Sequence, residues 1–378
     1  MNTLLLAITA AALVALVALL IFPRHDEDEA KGTEHEDERV SPLLRGINYL
    51  LSDQPDQALQ EMVQVARLRS EAADVYMALG EMFRSRGEYG RAVRIHQNLL
   101  ARPDLPDSMR LQAHYALAVD FQAGGLLDRA LKQYRKLLEL APDHVPALEA
   151  SLRIREQSHE WLEAEALLSR LEQVQNTSYH LHRAFLFAQV AEQALHQGRD
   201  EQAKDYAHRS IELEPACAPA WFVLLELALR RQDWDEADRI VRTLAERNRE
   251  HFPLILPHIM KHEDYYRERG RLCLMEIWQR SPDEELALSW IELVGERDVD
   301  AAAGLQRELG FQPENLRARL RLEAVFEKEG DRLFARAWRR RVTNYICEMC
   351  GVGVRELRWQ CPQCHEWGTM HPQKGDIA

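Results

Sequence analysis

Apolar residues follow three regimes along this chain. From Thr3 to Phe22 there is no charged residue, and Leu, Ala and Val dominate. At a rise of 1.5 Å per residue such a run crosses a hydrocarbon core of about 30 Å as one helix. From Asp26 to Glu38 Asp and Glu take over and large apolar residues vanish, so the segment cannot bury enough surface to offset its ordering entropy and reads as a flexible tether. From about Arg39 to Val342 apolar positions recur with helical spacing, and the whole pattern returns roughly every 34 residues.

In the clearest copies a small residue is followed by an aromatic or small apolar one, and then by an alanine. They read Gly46, Tyr49, Ala58; Gly80, Phe83, Ala92; Ala118, Phe121, Ala130; and Ala191, Ala194, Ala203. Gly87, Gly125 and Gly198 mark turns between paired helices, while Pro142 and Pro215 mark where one pair gives way to the next. Helix pairs are predicted to start near residues 39, 73, 111, 145, 184, 218, 251, 284 and 316, with longer loops at Pro103 to Pro106 and at Asn176 to His180. The fold class that follows is all-α: a tetratricopeptide-like solenoid of about nine helix pairs spanning residues 39–342, behind a transmembrane anchor (residues 1–23) and an acidic linker (24–38), with a four-cysteine ribbon at residues 343–378.

Such arrays hold extended partner segments along the face made by the first helix of each pair. Repeat position places Met77, Glu81, Arg84, Tyr115, Gln122, Glu192, Glu226 and Arg230 on that face. Ile47, Leu50 and Leu51 occupy the same face of the first repeat, where exposed apolar residues want cover; a second subunit or a partner is the expected cover, the former making a homodimer. The tryptophans of the array, Trp161, Trp221, Trp234, Trp278 and Trp290, fall at core positions. Arg332, Arg336, Arg339, Arg340 and Arg341 gather at helical spacing into a basic collar suited to an acidic surface or anionic lipid.

Charge sharpens this picture. With 48 Lys and Arg against 61 Asp and Glu the net charge is −13, which argues against a nucleic-acid binder. No Lys or Arg precedes the apolar run, whereas Arg24, Lys31 and Arg39 follow it, so the body is expected on the cytoplasmic side of the membrane. No phosphate-cradling Gly-rich loop, G-x-S-x-G or H-E-x-x-H occurs, and no catalytic constellation is visible.

The chemistry-bearing residues lie at the end. Cys347-x-x-Cys350 and Cys361-x-x-Cys364 are two thiolate pairs at the spacing that closes on one tetrahedral ion. A structural zinc accounts for all four sulfurs; iron in a rubredoxin-like site is the alternative. Cys361-Pro-Gln-Cys364-His365 also satisfies the c-type haem attachment pattern, but that reading leaves Cys347 and Cys350 without a role, and a thioredoxin-like dithiol lacks its flanking strand and helix. Cys217 and Cys273 sit alone in helical pattern as core thiols. The ribbon has too little core to fold without its metal.

One apolar span, the repeats and the terminal knuckles together resemble the lipopolysaccharide assembly protein B family of the Gram-negative inner membrane. The resemblance covers nearly the full length. It is carried by Phe83-Arg84-Ser85-Arg86-Gly87-Glu88 with Arg91-Ala92-Val93-Arg94-Ile95-His96-Gln97, and by Cys347-x-x-Cys350-Gly351 with Trp359-x-Cys361-Pro362-x-Cys364-x-x-Trp367. It implies a non-enzymatic, single-pass adaptor facing the cytoplasm. Such an adaptor helps the membrane protease FtsH degrade LpxC, the deacetylase that commits material to lipid A, and is restrained by an inner-membrane sensor acting partly through the span. The metal-binding role maps onto Cys347, Cys350, Cys361 and Cys364. The acidic linker departs from the family. In this picture the ribbon is expected to dock back on the last helices and fix the far end of the array.

Overall fold

The computed structural model describes residues 73–312, 316–326 and 345–373, together with Arg45, Gly46, Tyr49, Gln57 and Glu61. The apolar span, the acidic linker, the Ile47, Leu50 and Leu51 patch, and the basic collar lie outside the described residues. Among the described residues no helix is long and apolar enough to cross a membrane.

Antiparallel helix pairs dominate. They are α1 (Ala73–Ser85) with α2 (Tyr89–Leu100), α3 (Asp107–Ala123) with α4 (Leu127–Leu140), α5 (Val145–Gln157) with α6 (Trp161–Gln175), α7 (His180–His196) with α8 (Asp200–Leu213), and α9 (Ala218–Arg230) with α10 (Trp234–Arg247). The chain divides into two compact units, residues 1–133 and 134–378, with the boundary inside α4. In the first unit, Tyr76, Leu79 and Phe83 of α1 interlock with Ala92, Ile95 and Leu99 of α2. Of the alanines that the periodicity singles out, Ala58 lies outside the described residues and Ala92, Ala130 and Ala203 are fully buried, as are Ala164 and Ala237 in the other two pairs, because only a methyl group fits where paired helices approach this closely.

The same turn closes all five pairs. In each, a residue with positive φ ends the first helix, at Gly87, Gly125, His159, Gly198 and Gln232. The next backbone N–H then donates back to a carbonyl five residues earlier, as from Glu88 to Phe83 at 2.9 Å and from Glu160 to Arg155 at 2.9 Å. This is the Schellman closure, in which a left-handed residue lets two otherwise orphaned carbonyls be satisfied. Glycine adopts it without strain; His159 and Gln232 do so at a cost of roughly 1–2 kcal/mol each.

Helix starts at Val145, Ala218 and Glu284 coincide with the expected ones. The extra residues before the second and fourth pairs do not all go into loops. α3 and α7 begin at Asp107 and His180 and run for 17 residues each, against 13 in α5 and α9. An added helical turn satisfies its own backbone hydrogen bonds, which an added loop leaves to solvent.

Beyond α10 the regularity breaks. A 3₁₀ turn (Phe252–Ile255) leads into α11 (Leu256–Lys261), a one-turn helix passes through a π-turn (Tyr266–Gly270) into α12 (Arg271–Arg280), and α13 (Glu284–Gly295), α14 (Val299–Leu309) and α15 (Leu316–Phe326) follow. Buried polar residues anchor this part. Glu226 of α9 receives Arg230, Lys261 and His262, and Asp238 of α10 receives the Tyr265 hydroxyl at 2.8 Å and Arg269 at 2.7 Å. Trp290 is fully buried, while Trp221 and Trp278 are half-buried and donate to the carbonyls of Pro215 and Leu309.

The C-terminal segment is a three-stranded antiparallel sheet in the order β2-β1-β3, with β1 Tyr345–Cys347, β2 Gly353–Val354 and β3 Met370–Pro372.

Candidate metal centre and its seat on the repeat array

Two equivalent knuckles present the cysteines. In the first, Gly351 N–H donates to the Cys347 carbonyl at 2.9 Å, and in the second His365 N–H donates to the Cys361 carbonyl at 3.0 Å. Gly351 and His365 have φ of 74° and 61°, so the residue after each second cysteine turns the chain back through the left-handed region. His365 is therefore the exposed turn residue of the second knuckle, which explains a histidine beside Cys364 without any haem.

The four Sγ atoms lie within 4.8 Å of one another. Cys347 Sγ is 3.7 Å from Cys364 Sγ and Cys350 Sγ is 3.6 Å from Cys361 Sγ. Four sulfurs each about 2.3 Å from a central ion sit about 3.8 Å apart, so the cage has the dimensions of a tetrahedral metal–thiolate site. Its electrostatics point the same way. The Thr369 hydroxyl, 3.3 Å from Cys347 Sγ, helps draw that thiol down to about 6. The Glu366 backbone N–H favours the thiolate at Cys364, but burial and the neighbouring sulfurs outweigh it and push that thiol up to about 12. The Cys347 thiol ionises readily while those of Cys350 and Cys364 resist, the behaviour of crowded like charges that a cation at their centre relieves. Cys347, Cys361 and Met370 form the ribbon's small core, with Tyr345, Val352, Val354 and Leu357 packed on it. Cys217 and Cys273 lie apart in the array, buried among helices, where desolvation raises both thiols to about 11.

The ribbon does not dock on the last helices, as expected from the sequence. It sits on the first-helix face of three pairs in the middle of the chain, α5/α6, α7/α8 and α9/α10, because that is where its two tryptophans find aromatic partners. Trp367 stacks on Phe185 of α7, with ring centroids 5.7 Å apart, and meets Trp161 edge-on at 6.1 Å. Trp359 reaches Phe185 at 5.9 Å, Phe222 of α9 at 6.3 Å and His251 at 5.2 Å. Between the tryptophans the backbone comes so close that a Cβ on Gly368 would lie 2.8 Å from Phe185 Cε2.

Polar contacts fix the register. The Glu156 carboxylate at the end of α5, 5% exposed, accepts from Trp367 Nε1 at 3.2 Å and from Gln360 Nε2 at 3.1 Å. His182 Nε2 lies 2.5 Å from the same carboxylate. His251 Nε2 donates to the Met370 carbonyl at 3.3 Å. His371 is held between Glu250 of the array, at 3.0 Å, and Glu348 of the first knuckle, at 3.4 Å.

The residues placed on the first-helix face by repeat position are divided between the two units, five in the first and three in the second. Arg84 pairs with buried Asp120 at 2.9 Å, and Met77 packs on the α1/α2 core, while Glu81 and Glu192 are exposed. Tyr115 and Gln122 are half-buried on α3. Glu226 is 5% exposed and is drawn into the packing between α9 and α11, while Arg230, which reaches it at 3.0 Å, stays exposed. The residues that do meet in one place, Glu156, Trp161, His182, Phe185, Phe222 and His251, were not singled out as a site. Only Trp161 stood out in the sequence, and then as a core residue; the others carry no local signal, since what they bind lies more than 100 residues further along.

Helix pairs closed by a shared turn, together with a four-thiolate knuckle seated on them, define the class: a tetratricopeptide-like helical-repeat protein bearing a metal-binding ribbon. Residues 345–372 match the family model described as a rubredoxin metal binding domain. Over most of its length the chain is similar to proteins named lipopolysaccharide assembly protein B. It is 26% identical over 361 residues to the protein of that name from Haemophilus influenzae, covering 87% of this chain and 88% of that one. To the protein of the same name from Escherichia coli K12 it is 25% identical over 355 residues, covering 88% and 89%. Among solved structures it is similar to a tetratricopeptide repeat protein from Parabacteroides merdae (15% identity, 68% of this chain and all of that one, TM-score 0.31) and to the MamA protein (18%, 48% and 95%, TM-score 0.32). These structural likenesses are weak, and the repeat character rests on this chain's own helix pairs and turns.

Proposed function

We propose that this protein is a membrane-anchored, non-enzymatic adaptor in lipopolysaccharide assembly, and that its ribbon carries one structural zinc ion. The observation that carries the reading is the near end-to-end similarity to proteins named lipopolysaccharide assembly protein B, joined to a terminal thiolate cage built into the array. Its finer form is that the adaptor promotes degradation of LpxC by the membrane protease FtsH under the control of an inner-membrane sensor. The apolar run from Thr3 to Phe22 supports an inner-membrane anchor with the array facing the cytoplasm, where thiols stay reduced.

In this reading the anchor confines adaptor and protease to one plane and raises their effective concentration, while the array holds the substrate. Glu156, Phe185 and Phe222 seat the ribbon, and Thr369 and the knuckle backbone orient the sulfurs for the metal. The metal supplies the cross-link that a ribbon with this little core needs in order to fold.

The test is an affinity capture of the tagged full-length chain from membranes, read together with LpxC abundance in cells lacking the protein. Recovery of FtsH and LpxC, with LpxC rising in the deletion and falling on complementation, is the expected result. Capture of neither, with LpxC unchanged, would overturn the LpxC reading. Metal analysis of the same preparation separates one zinc per chain from iron.

A further inference from the structure

The ribbon's second knuckle is held from outside the ribbon. Cys361 and Cys364 lie between Gln360 and Trp367, and both of these give their N–H groups to one carboxylate on another part of the chain, Glu156 of α5. Gln360 is doubly used, since its Nε2 also donates to the His365 carbonyl at 3.1 Å, inside the knuckle turn itself. Gln360 and Trp367 also pair with each other across the knuckle as an isolated antiparallel bridge, so the Glu156 carboxylate grips both sides of the loop that presents two of the four sulfurs. Phe185 presses on the Gly368 backbone from the same side.

Glu156 is 5% exposed at the end of α5, where an ionised group is costly unless donors surround it. His182 supplies one donor from the array; the others come from the ribbon.

We infer that Glu156 is a positioning residue for the metal: by pinning Gln360 and Trp367 it holds the second knuckle in its metal-ready form, so that metal affinity is set partly by the repeat array. The inference rests on the reading of the four cysteines as a metal site. It follows by linkage that metal loading tightens the ribbon's seat by the same factor by which the seat tightens the metal. It follows too that any partner taking the face made by α5, α7 and α9 must displace the two tryptophans and weaken metal binding. Metal and partner are antagonists through one shared surface.

The experiment is zinc(II) competition against a chromophoric chelator, on the full chain in detergent under reducing conditions. The variants are Glu156→Ala, Glu156→Gln and Trp367→Phe, and the double variant Glu156→Ala with Trp367→Phe. Groups that orient metal ligands from outside commonly change affinity 10- to 100-fold. Glu156→Ala is expected to weaken zinc binding about tenfold or more with helix content by circular dichroism unchanged. Glu156→Gln, which keeps one carbonyl acceptor for the indole N–H, is expected to recover part of the loss. The double variant should lose little more than the worse single variant, because both remove the same bond; a merely structural effect of either change would add.

Zinc affinity within twofold of the parent in both Glu156 variants, or full additivity in the double variant, would overturn the inference. Should Glu156→Ala fail to fold, Glu156→Gln and Trp367→Phe carry the test. Absence of zinc binding in the unaltered chain would refute the metal reading itself, a separate result from loss of coupling.

Discussion

Replacing Gly368 by alanine should unseat the ribbon without altering any of the four cysteines. Two costs act together. Gly368 has φ of 70°, where an L-residue with a Cβ is disfavoured by roughly 1–2 kcal/mol. The new Cβ would also lie 2.8 Å from Phe185 Cε2 and 3.1 Å from Cζ, well inside contact distance, so Phe185 or the ribbon must move. Phe185 is itself nearly buried and wedged between Trp359 and Trp367, which makes yielding costly, and overpacking of this kind costs about 1–3 kcal/mol. Together the two shift the balance between docked and undocked ribbon by about 2–5 kcal/mol, a factor of roughly thirty to several thousand at about 1.4 kcal/mol per tenfold. The assay is hydrogen–deuterium exchange of the full zinc-loaded chain, followed in peptides from residues 345–373 and from α5 and α7. Faster exchange is expected on both sides of the contact. Adding Phe185→Leu should return part of the protection, since it relieves the clash but not the backbone strain. Unchanged exchange in Gly368→Ala, or no recovery in the double variant, would show that the close approach does not hold the ribbon.

Other outcomes follow from features described above. In the first unit, Gly80→Ala would place a Cβ 2.3 Å from His96 Nε2, and His96 is itself fully buried and locked 2.5 Å from Asp120; the thermal midpoint of the α1–α3 region should fall sharply, by calorimetry or by exchange, and a wild-type midpoint would show that the histidine has room to yield. Burial alone would raise the Glu226 carboxyl, but hydrogen bonds from Arg230, His262 and Lys261 hold it down to about 2. A carboxyl depressed on folding contributes stability that is present above its unfolded value and lost as pH falls through the folded one. Between about pH 4.5 and 2, Glu226→Gln should therefore lose less stability than the parent in thermal scans, and parallel curves would refute the assignment. Stripping the metal with a thiol-compatible chelator should abolish ordered exchange protection in residues 345–372 with nearly all helical circular dichroism retained; loss of most helix signal would mean that the array depends on the ribbon far more than its own core suggests.

How far these features could be read in the sequence depends on how local their causes are. The alanines at helix crossings and the glycines at Gly87, Gly125 and Gly198 announce themselves, because each is forced by contacts within its own helix pair. His159 and Gln232 perform the same left-handed closure without glycine, so the sequence shows those turns only by spacing. For His159 the structure supplies a reason: its ring stacks on Trp161 at 5.0 Å, and Trp161 in turn meets Trp367. The cysteine cage was legible because metal-ligand spacing is a short-range pattern. Its seat was not, since Glu156 and His182 look like ordinary polar residues on a first-helix face until a segment two hundred residues later comes to rest on them. Glu226 departs in the opposite sense, looking like a groove residue while being drawn into packing by Arg230, Lys261 and His262.

The separation between seat and ribbon also sets an order of events in synthesis. His251, the last array residue of the seat, precedes Trp359 by 108 residues (359 − 251). At translation rates of about 5–20 residues per second the ribosome needs roughly 5–20 seconds to cover that interval. Throughout it, Phe185, Phe222 and Trp161 stand folded without their cover, an aromatic surface open to chaperones and to early partners. Every newborn chain thus passes through a short period in which its binding face is offered to others before its own last segment arrives to claim it.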